Sequence, residues 1–184
     1  MRRNGSTTPE LALPTAALAA LRRFLMAELG ADLGARALRQ AGYAAGDALY
    51  PLLVGAADAQ EEGAASLPET TFWRRLADLF AARGWGRLEH EDLHPGIGAL
   101  DTHDWMEADP ETNAVRPGCH FTTGLLANLL GRAAGEEVGV IEVECRSRGD
   151  LRCRFLFGGR DALDAIYEAL RSGGNLEESL ARLT

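Results

Sequence analysis

The chain of 184 residues has no lysine, only three cysteines, few aromatic side chains (7%) and no long apolar run. Each shortage excludes something. The 19 cations are all arginine and are outnumbered by 27 acidic groups, so the formal charge of −8 speaks against neutralising nucleic-acid phosphates or an anionic membrane surface. Without a stretch of roughly eighteen apolar residues there is no membrane span to expect. An odd number of cysteines argues against a disulfide framework and for a reducing compartment, the cytoplasm of a bacterium. Met1-Arg2-Arg3 ahead of the apolar run from Leu11 imitates a secretory signal, but Pro14 interrupts the run and Arg22-Arg23 closes it. No strand is followed by Gly-x-Gly-x-x-Gly, and Gly84-Trp85-Gly86 and Gly158-Gly159 read as turns, so no nicotinamide or flavin site is expected. No Ser-His-Asp or Cys-His arrangement has supporting context, and no catalytic residue is assigned. The surplus of Arg, Ala and Gly is the signature of GC-rich coding.

What is present, 46% hydrophobic residues in this length, suffices for one buried core. Residues 1–10 form a polar leader expected to be mobile, and 11–184 a single domain. Leu18, Leu21, Phe24, Leu25 and Leu29 recur at helical steps and predict a helix over Pro14–Leu29 with one buried stripe. A second helix over 31–54 uses Leu33, Leu38, Ala41, Ala45 and Leu49, with Gly42 and Gly46 leaving room for another backbone. After a small, acidic loop (Gly55–Ser66), Pro68 and Glu69 open a third helix that runs to about Arg83 and buries Phe72, Leu76, Leu79 and Phe80. Alternation through Trp85, Arg87 and Glu89 and then Ile97 to Met106 predicts two antiparallel strands. Pro110–Gly118 is turn-like, and Phe121, Leu125, Leu126, Leu129 and Leu130 mark a helix over Cys119–Arg132. Val138–Cys145 and Leu151–Phe157 alternate on either side of a turn containing Gly149-Asp150, a hairpin, and two short helices over 161–171 and 176–183 end the chain. The sum is an α+β fold, an antiparallel sheet packed with helices.

The three cysteines converge: Cys119 opens a helix, and Cys145 and Cys153 stand on opposite arms of the hairpin. Three thiolates are a soft donor set, and a closed tetrahedral zinc site needs a fourth ligand, for which Glu142, Glu144 and His120 are available. A helix N-terminus would also favour the Cys119 thiolate. Buried unligated thiols and a cross-strand Cys145–Cys153 disulfide are the alternatives. His90, His94 and His103 lie among Glu89, Glu91, Asp92, Asp101 and Asp104 and are expected as exposed partners of carboxylates.

The run Pro117-Gly118-Cys119-His120-Phe121-Thr122-Thr123-Gly124-Leu125-Leu126, followed by Val140-Ile141-Glu142-Val143-Glu144-Cys145-Arg146-Ser147-Arg148-Gly149-Asp150-Leu151-Arg152-Cys153-Arg154-Phe155, resembles the 4-vinyl reductase domain family. That family is named for a bacteriochlorophyll biosynthesis protein, and it supplies the effector-sensing domains of phenol- and xylene-responsive transcription activators. The match covers about residues 101–157. The resemblance implies a fold similar to the vesicle-tethering TRAPP subunits, usually a homodimer, and a structural zinc held by Cys119, Glu142, Cys145 and Cys153. Glu142 and Cys145 are three apart and face opposite sides of a regular strand, so a bulge or the strand's end near Glu144 has to bring them together; on a regular strand His120 is the better fourth ligand.

A fully ligated ion has no open position for substrate, which places function in an apolar cavity for a small hydrophobic or aromatic molecule. Trp105 is the first lining residue expected, followed by Phe72, Trp85, Phe121 and Tyr43. The chain carries no Gly-x-x-x-x-Gly-Lys-Ser/Thr, so a sensor's output is expected to pass through a partner protein. The family name suggests two other activities, reduction of a tetrapyrrole vinyl group or tetrapyrrole carriage. The TRAPP likeness suggests a third, a ligand-free scaffold subunit.

Overall fold

Pro14, with fixed φ and no N–H to satisfy, stands immediately before helix α1 (Thr15–Val54) in the computed structural model, which describes residues 10–55 and 67–183. The leader, apart from Glu10, and nearly all of the loop expected after Gly55 lie outside the described residues. α1 is broken at Gly30, whose φ of 77° and ψ of 167° are closed to residues with a side chain. The break falls between the two helices read from the sequence.

The first half of α1 departs from the expected burial. Leu21, Phe24, Leu29 and Leu33 are 52%, 61%, 45% and 58% exposed, and Arg22 is the buried residue, its Nη1 donating to the backbone carbonyl of Glu107. The reason is geometric: this segment rests on residues 106–111 along the line of Ala16, Ala19 and Arg22, and its leucine stripe points away from the chain's own core. The second half behaves as read. A methyl on Gly42 would lie 1.9 Å from the carbonyl oxygen of Phe121, and one on Gly124 would lie 1.9 Å from that of Arg39. The two glycines let α1 cross helix α3 (His120–Ala134) at backbone contact.

Helix α2 (Glu69–Ala81) follows Pro68 and buries Phe72, Leu76, Leu79 and Phe80, the four residues its periodicity assigned. Strands β1 (Glu89–His94) and β2 (Ile97–Thr102) form a hairpin, and β3 (Gly139–Glu144) and β4 (Cys153–Gly158) a second. The sheet order is β1-β2-β4-β3, antiparallel throughout. β2 ends at Thr102, short of the expected Met106, so Trp105 sits on the turn beyond the strand.

Alternation gives the sheet two apolar faces. Leu100, Phe155 and Cys153 join α2, α3 and the end of α1 in the larger core, with Trp105, Tyr50 and Leu125. Ile97, Ala99 and Leu156 on the other face meet Leu163 and Ile166 of helix α4 (Arg160–Arg171). Helix α5 (Leu176–Leu180) is capped by Asn175, whose side chain accepts from the Glu178 N–H at 2.8 Å.

Candidate functional site

β3 contains one residue too many for its partner. Gly139 to Glu142 pair in regular register with Gly158 to Phe155, but Glu144 pairs with Arg154, so the register slips by one at Val143. This bulge is the device that the Glu142 to Cys145 spacing demands, because the extra residue brings two positions three apart onto one side of the strand. Beyond it the chain turns through Arg146–Arg148 and Gly149. The Asp150 carboxylate accepts from the Cys145 N–H at 2.7 Å and holds the turn closed.

On that side the ligand atoms of Cys119, Glu142, Cys145 and Cys153 all lie within 4.8 Å of one another. The Cys119 sulfur is 3.9 Å from that of Cys145 and 4.0 Å from that of Cys153. Two sulfurs bound to one zinc at about 2.3 Å in a tetrahedron stand about 3.8 Å apart, so the observed separations suit a shared ion. A disulfide would need about 2 Å, and all three cysteines are free. Glu142 completes the set. Its Oε2 accepts from the Cys119 N–H at 2.8 Å, while Oε1 is buried with no partner. An unpaired buried carboxylate oxygen is costly, and a cation beside it supplies what is missing. Arg146 N–H donates to the Cys153 sulfur at 3.5 Å, as amides do around thiolate ligands. These four residues can hold a metal ion.

The titration of the group supports the same conclusion. Hydrogen bonds from the Cys119 and Cys153 thiols hold the Cys145 thiol far below its usual value, against the effect of burial. Burial, and then the bonds to Cys145 and Cys153, push the Cys119 thiol well up; burial and the Cys145 charge do the same to the Glu142 carboxyl. The expected helix-terminus thiolate at Cys119 is thus corrected: burial outweighs the helix end, and the first negative charge settles on Cys145. Four buried acids around one point cannot ionise together without a cation, and with one they can.

The other proposed fourth ligands are elsewhere. The Glu144 carboxylate is engaged by Arg152 at 2.9 and 3.2 Å. His120 is outside the four-residue group, and burial with the nearby Arg39 and Arg22 charges depresses its pKa to about 4. Of the strand-region histidines, only His90 meets a carboxylate among the described residues, with Nε2 3.4 Å from Asp92, and its ring stacks on Trp73 at 3.9 Å. His94 and His103 instead approach backbone oxygens of Pro95 and Leu151, because the β1–β2 turn and the start of β4 bring those carbonyls within reach.

The aromatic residues divide. Trp105, 1% exposed, is the hub of a cluster with Phe80, Trp85 and Phe155 at centroid distances of 5.3, 5.8 and 6.2 Å, and Phe121 stacks on Trp85 at 5.6 Å. Phe72 packs edge-on to Trp73 at 4.9 Å on α2, and Tyr43 stands 54% exposed on α1. Tyr43 borders an open groove of about 1060 Å³ between α1, α3, β3 and α4, which also presents Arg36, Arg39, Arg132 and Arg160. A smaller hollow of about 320 Å³ separates the start of α1 from residues 106–111. Neither hollow is lined by Trp105, Trp85, Phe121 or Phe72.

Two residues to which sequence reasoning gave no role organise this cluster. The Trp105 indole N–H donates to the Thr122 hydroxyl at 2.7 Å, and that hydroxyl donates to Glu107 Oε2 at 2.5 Å. Glu107, 4% exposed, also accepts the N–H groups of Phe121 and Thr122 at 2.9 and 2.8 Å, and so caps α3 from outside the helix. Burial raises its pKa against these bonds. A helix that opens at Cys119 without a Ser, Thr, Asp or Asn cap was the available signal that a distant acceptor was needed.

Comparison with known proteins follows the same lines. Residues 102–158 match the family model of the 4-vinyl reductase domain, the stretch on which the resemblance was read. No curated protein sequence matches the chain. The fold is similar to the phenol-responsive sensory domain of the transcription activator PoxR, solved with phenol (TM-score 0.65, 20% identity, 81% of this chain and 76% of that one). It is similar also to a vinyl-4-reductase family protein from Methanocaldococcus jannaschii (TM-score 0.55, 18% identity, 80% and 82%). A third likeness is to a trafficking protein particle complex subunit 3 from Naegleria fowleri covalently bound to palmitic acid (TM-score 0.57, 12% identity, 78% and 93%). The α+β architecture, an antiparallel sheet with helices, is therefore that of the sensor and TRAPP-type folds.

Proposed function

We propose that this protein is a sensory domain for a small aromatic or hydrophobic molecule, built around a structural zinc and acting through a partner. One observation carries the reading: in a fold of the 4-vinyl reductase domain type, a closed four-ligand cluster stands beside an aromatic cluster centred on Trp105, and the two share the first turn of α3. Zinc is the ion that three thiolates and a carboxylate favour, and a site with four protein ligands serves structure. The guest's place is among Trp105, Trp85 and Phe121, with the half-buried Trp85 and Phe121 as the movable wall. The free thiols agree with work in a reducing cytoplasm, and no described helix is long and apolar enough to cross a membrane.

The exposed stripe Leu21, Phe24, Leu29 and Leu33 supports a homodimer formed through α1, since a monomer gains nothing from so much apolar surface on one helix. The output protein would read the same helix. The test is titration of the purified protein with phenol and toluene, followed by tryptophan fluorescence and calorimetry. A saturable one-site response is expected, and failure of both compounds to bind overturns the reading.

The arginine-bearing groove favours a second reading, carriage of a tetrapyrrole whose carboxylates meet Arg36, Arg39, Arg132 or Arg160. Protoporphyrin binding that is lost on replacing Arg36 and Arg39, together with indifference to small aromatics, would select it.

A further inference from the structure

The polar groups around Trp105 are already committed to one another. Its indole N–H is spent on Thr122, the Thr122 proton on Glu107, and both Glu107 oxygens on the α3 amides. Among the described residues, the only buried side-chain N or O atoms without a partner are Asn128 Oδ1 and Glu142 Oε1. The first faces Gly46, at 2.4 Å from where a methyl would stand, and the second belongs to the cysteine group. Nothing around the indole is left to receive or donate a further hydrogen bond.

We infer that Thr122 sets the specificity of the aromatic site, selecting an aromatic hydrocarbon without a hydroxyl over a phenol of the same size by occupying the Trp105 N–H. This rests on the aromatic-sensing reading above and names its ligand class. A guest hydroxyl entering the cluster loses its hydration and finds no partner unless the Trp105–Thr122 bond is broken; a methyl group loses nothing. Apolar pockets discriminate against an added hydroxyl by up to about a hundredfold, and a bond that the host must itself surrender adds to that preference.

The experiment compares toluene and phenol on the whole chain by calorimetry, in the unaltered protein and in Thr122→Val and Thr122→Ser. The expected result is toluene bound at least about tenfold more tightly than phenol by the unaltered protein and by Thr122→Ser, which keeps the hydroxyl. Thr122→Val has the same shape but frees the indole N–H, so the preference should narrow by about tenfold, with the Trp105 indole proton shifting in NMR on adding phenol. Loss of packing alone would weaken both compounds together. Phenol bound as tightly as toluene by the unaltered protein, or Val and Ser variants with equal preferences, overturns the inference while the sensing reading stands. Should Thr122→Val not fold, the ratio in the unaltered protein decides. Binding of neither compound removes the sensing reading and this inference with it.

Discussion

Cys145→Ser tests the cysteine group most directly. The substitution removes one sulfur from a cluster that ties β3's end to β4 and to the start of α3, segments 26 and 34 residues apart measured from Cys119. The hydroxyl nearly fills the space and can still bond Glu142, so the cavity cost is small and the effect is that of the ion. For an ion present at about a thousand times its dissociation constant, linkage contributes about 4 kcal/mol. In a domain of this size each kcal/mol moves Tm by about 2–4 °C, so the variant should melt about 10 °C lower. Elemental analysis should find one equivalent of zinc in the unaltered protein and none in the variant. A chelator should bring the unaltered protein down to the variant's Tm and leave the variant where it is. Glu142→Gln should behave like Cys145→Ser, and His120→Ala should keep its metal. A Cys145→Ser protein with a full equivalent of zinc and an unchanged Tm refutes the assignment.

Three other substitutions probe the frame. Gly124→Ala places a methyl 1.9 Å from the Arg39 carbonyl, so α1 and α3 must part; a loss of about 1–3 kcal/mol in urea unfolding is expected, and a neutral result would mean that the crossing is looser than described. The Asp104 carboxylate accepts the Arg87 N–H at 2.9 Å and the Thr102 hydroxyl at 3.2 Å, bonds that, the first above all, hold its pKa below the ordinary 3.8. A depressed folded-state pKa stabilises above the unfolded value and is lost as pH falls through the folded one; Asp104→Asn should therefore flatten the loss of stability below about pH 4, and identical acid limbs would contradict this. Phe24→Glu, at a residue 61% exposed, should leave the monomer's fold intact and convert a dimer to a monomer in light scattering, whereas an unchanged mass would place the interface elsewhere.

Much of this was legible because period and punctuation agree. Phe72, Leu76, Leu79 and Phe80 could only be the inner face of a helix, and Gly42 and Gly46 announced a close crossing before any partner was known. The cysteine group was legible in a stronger sense, since Glu142 and Cys145 required a bulge and the bulge is at Val143. The stripe of the first helix was read correctly as a stripe and wrongly as buried, because periodicity says which residues share a face and not what covers it. The roles of Glu107 and Thr122 were not legible. Their pairing spans 15 residues and depends on how the turn after β2 lies against α3, which no local pattern encodes.

The start of α3 explains why the two sites stand together. A helix beginning leaves its first N–H groups unpaired, and here two glutamates from other elements take them: Glu142 at Cys119, and Glu107 at Phe121 and Thr122. The two differ in completeness. Glu107 is satisfied within the chain, its oxygens filled by two amides and a hydroxyl. Glu142 is not, for Oε1 has no partner and burial and a neighbouring thiolate oppose its charge. Only something from outside the chain can complete it, and a divalent cation bound to the three sulfurs does so while fixing Cys119 in place. Because Thr122 lies in the same helical turn and holds the Trp105 ring, fixing Cys119 also fixes the wall of the aromatic cluster. The ion's structural role thus reaches the ligand site through three residues of backbone, without being part of it.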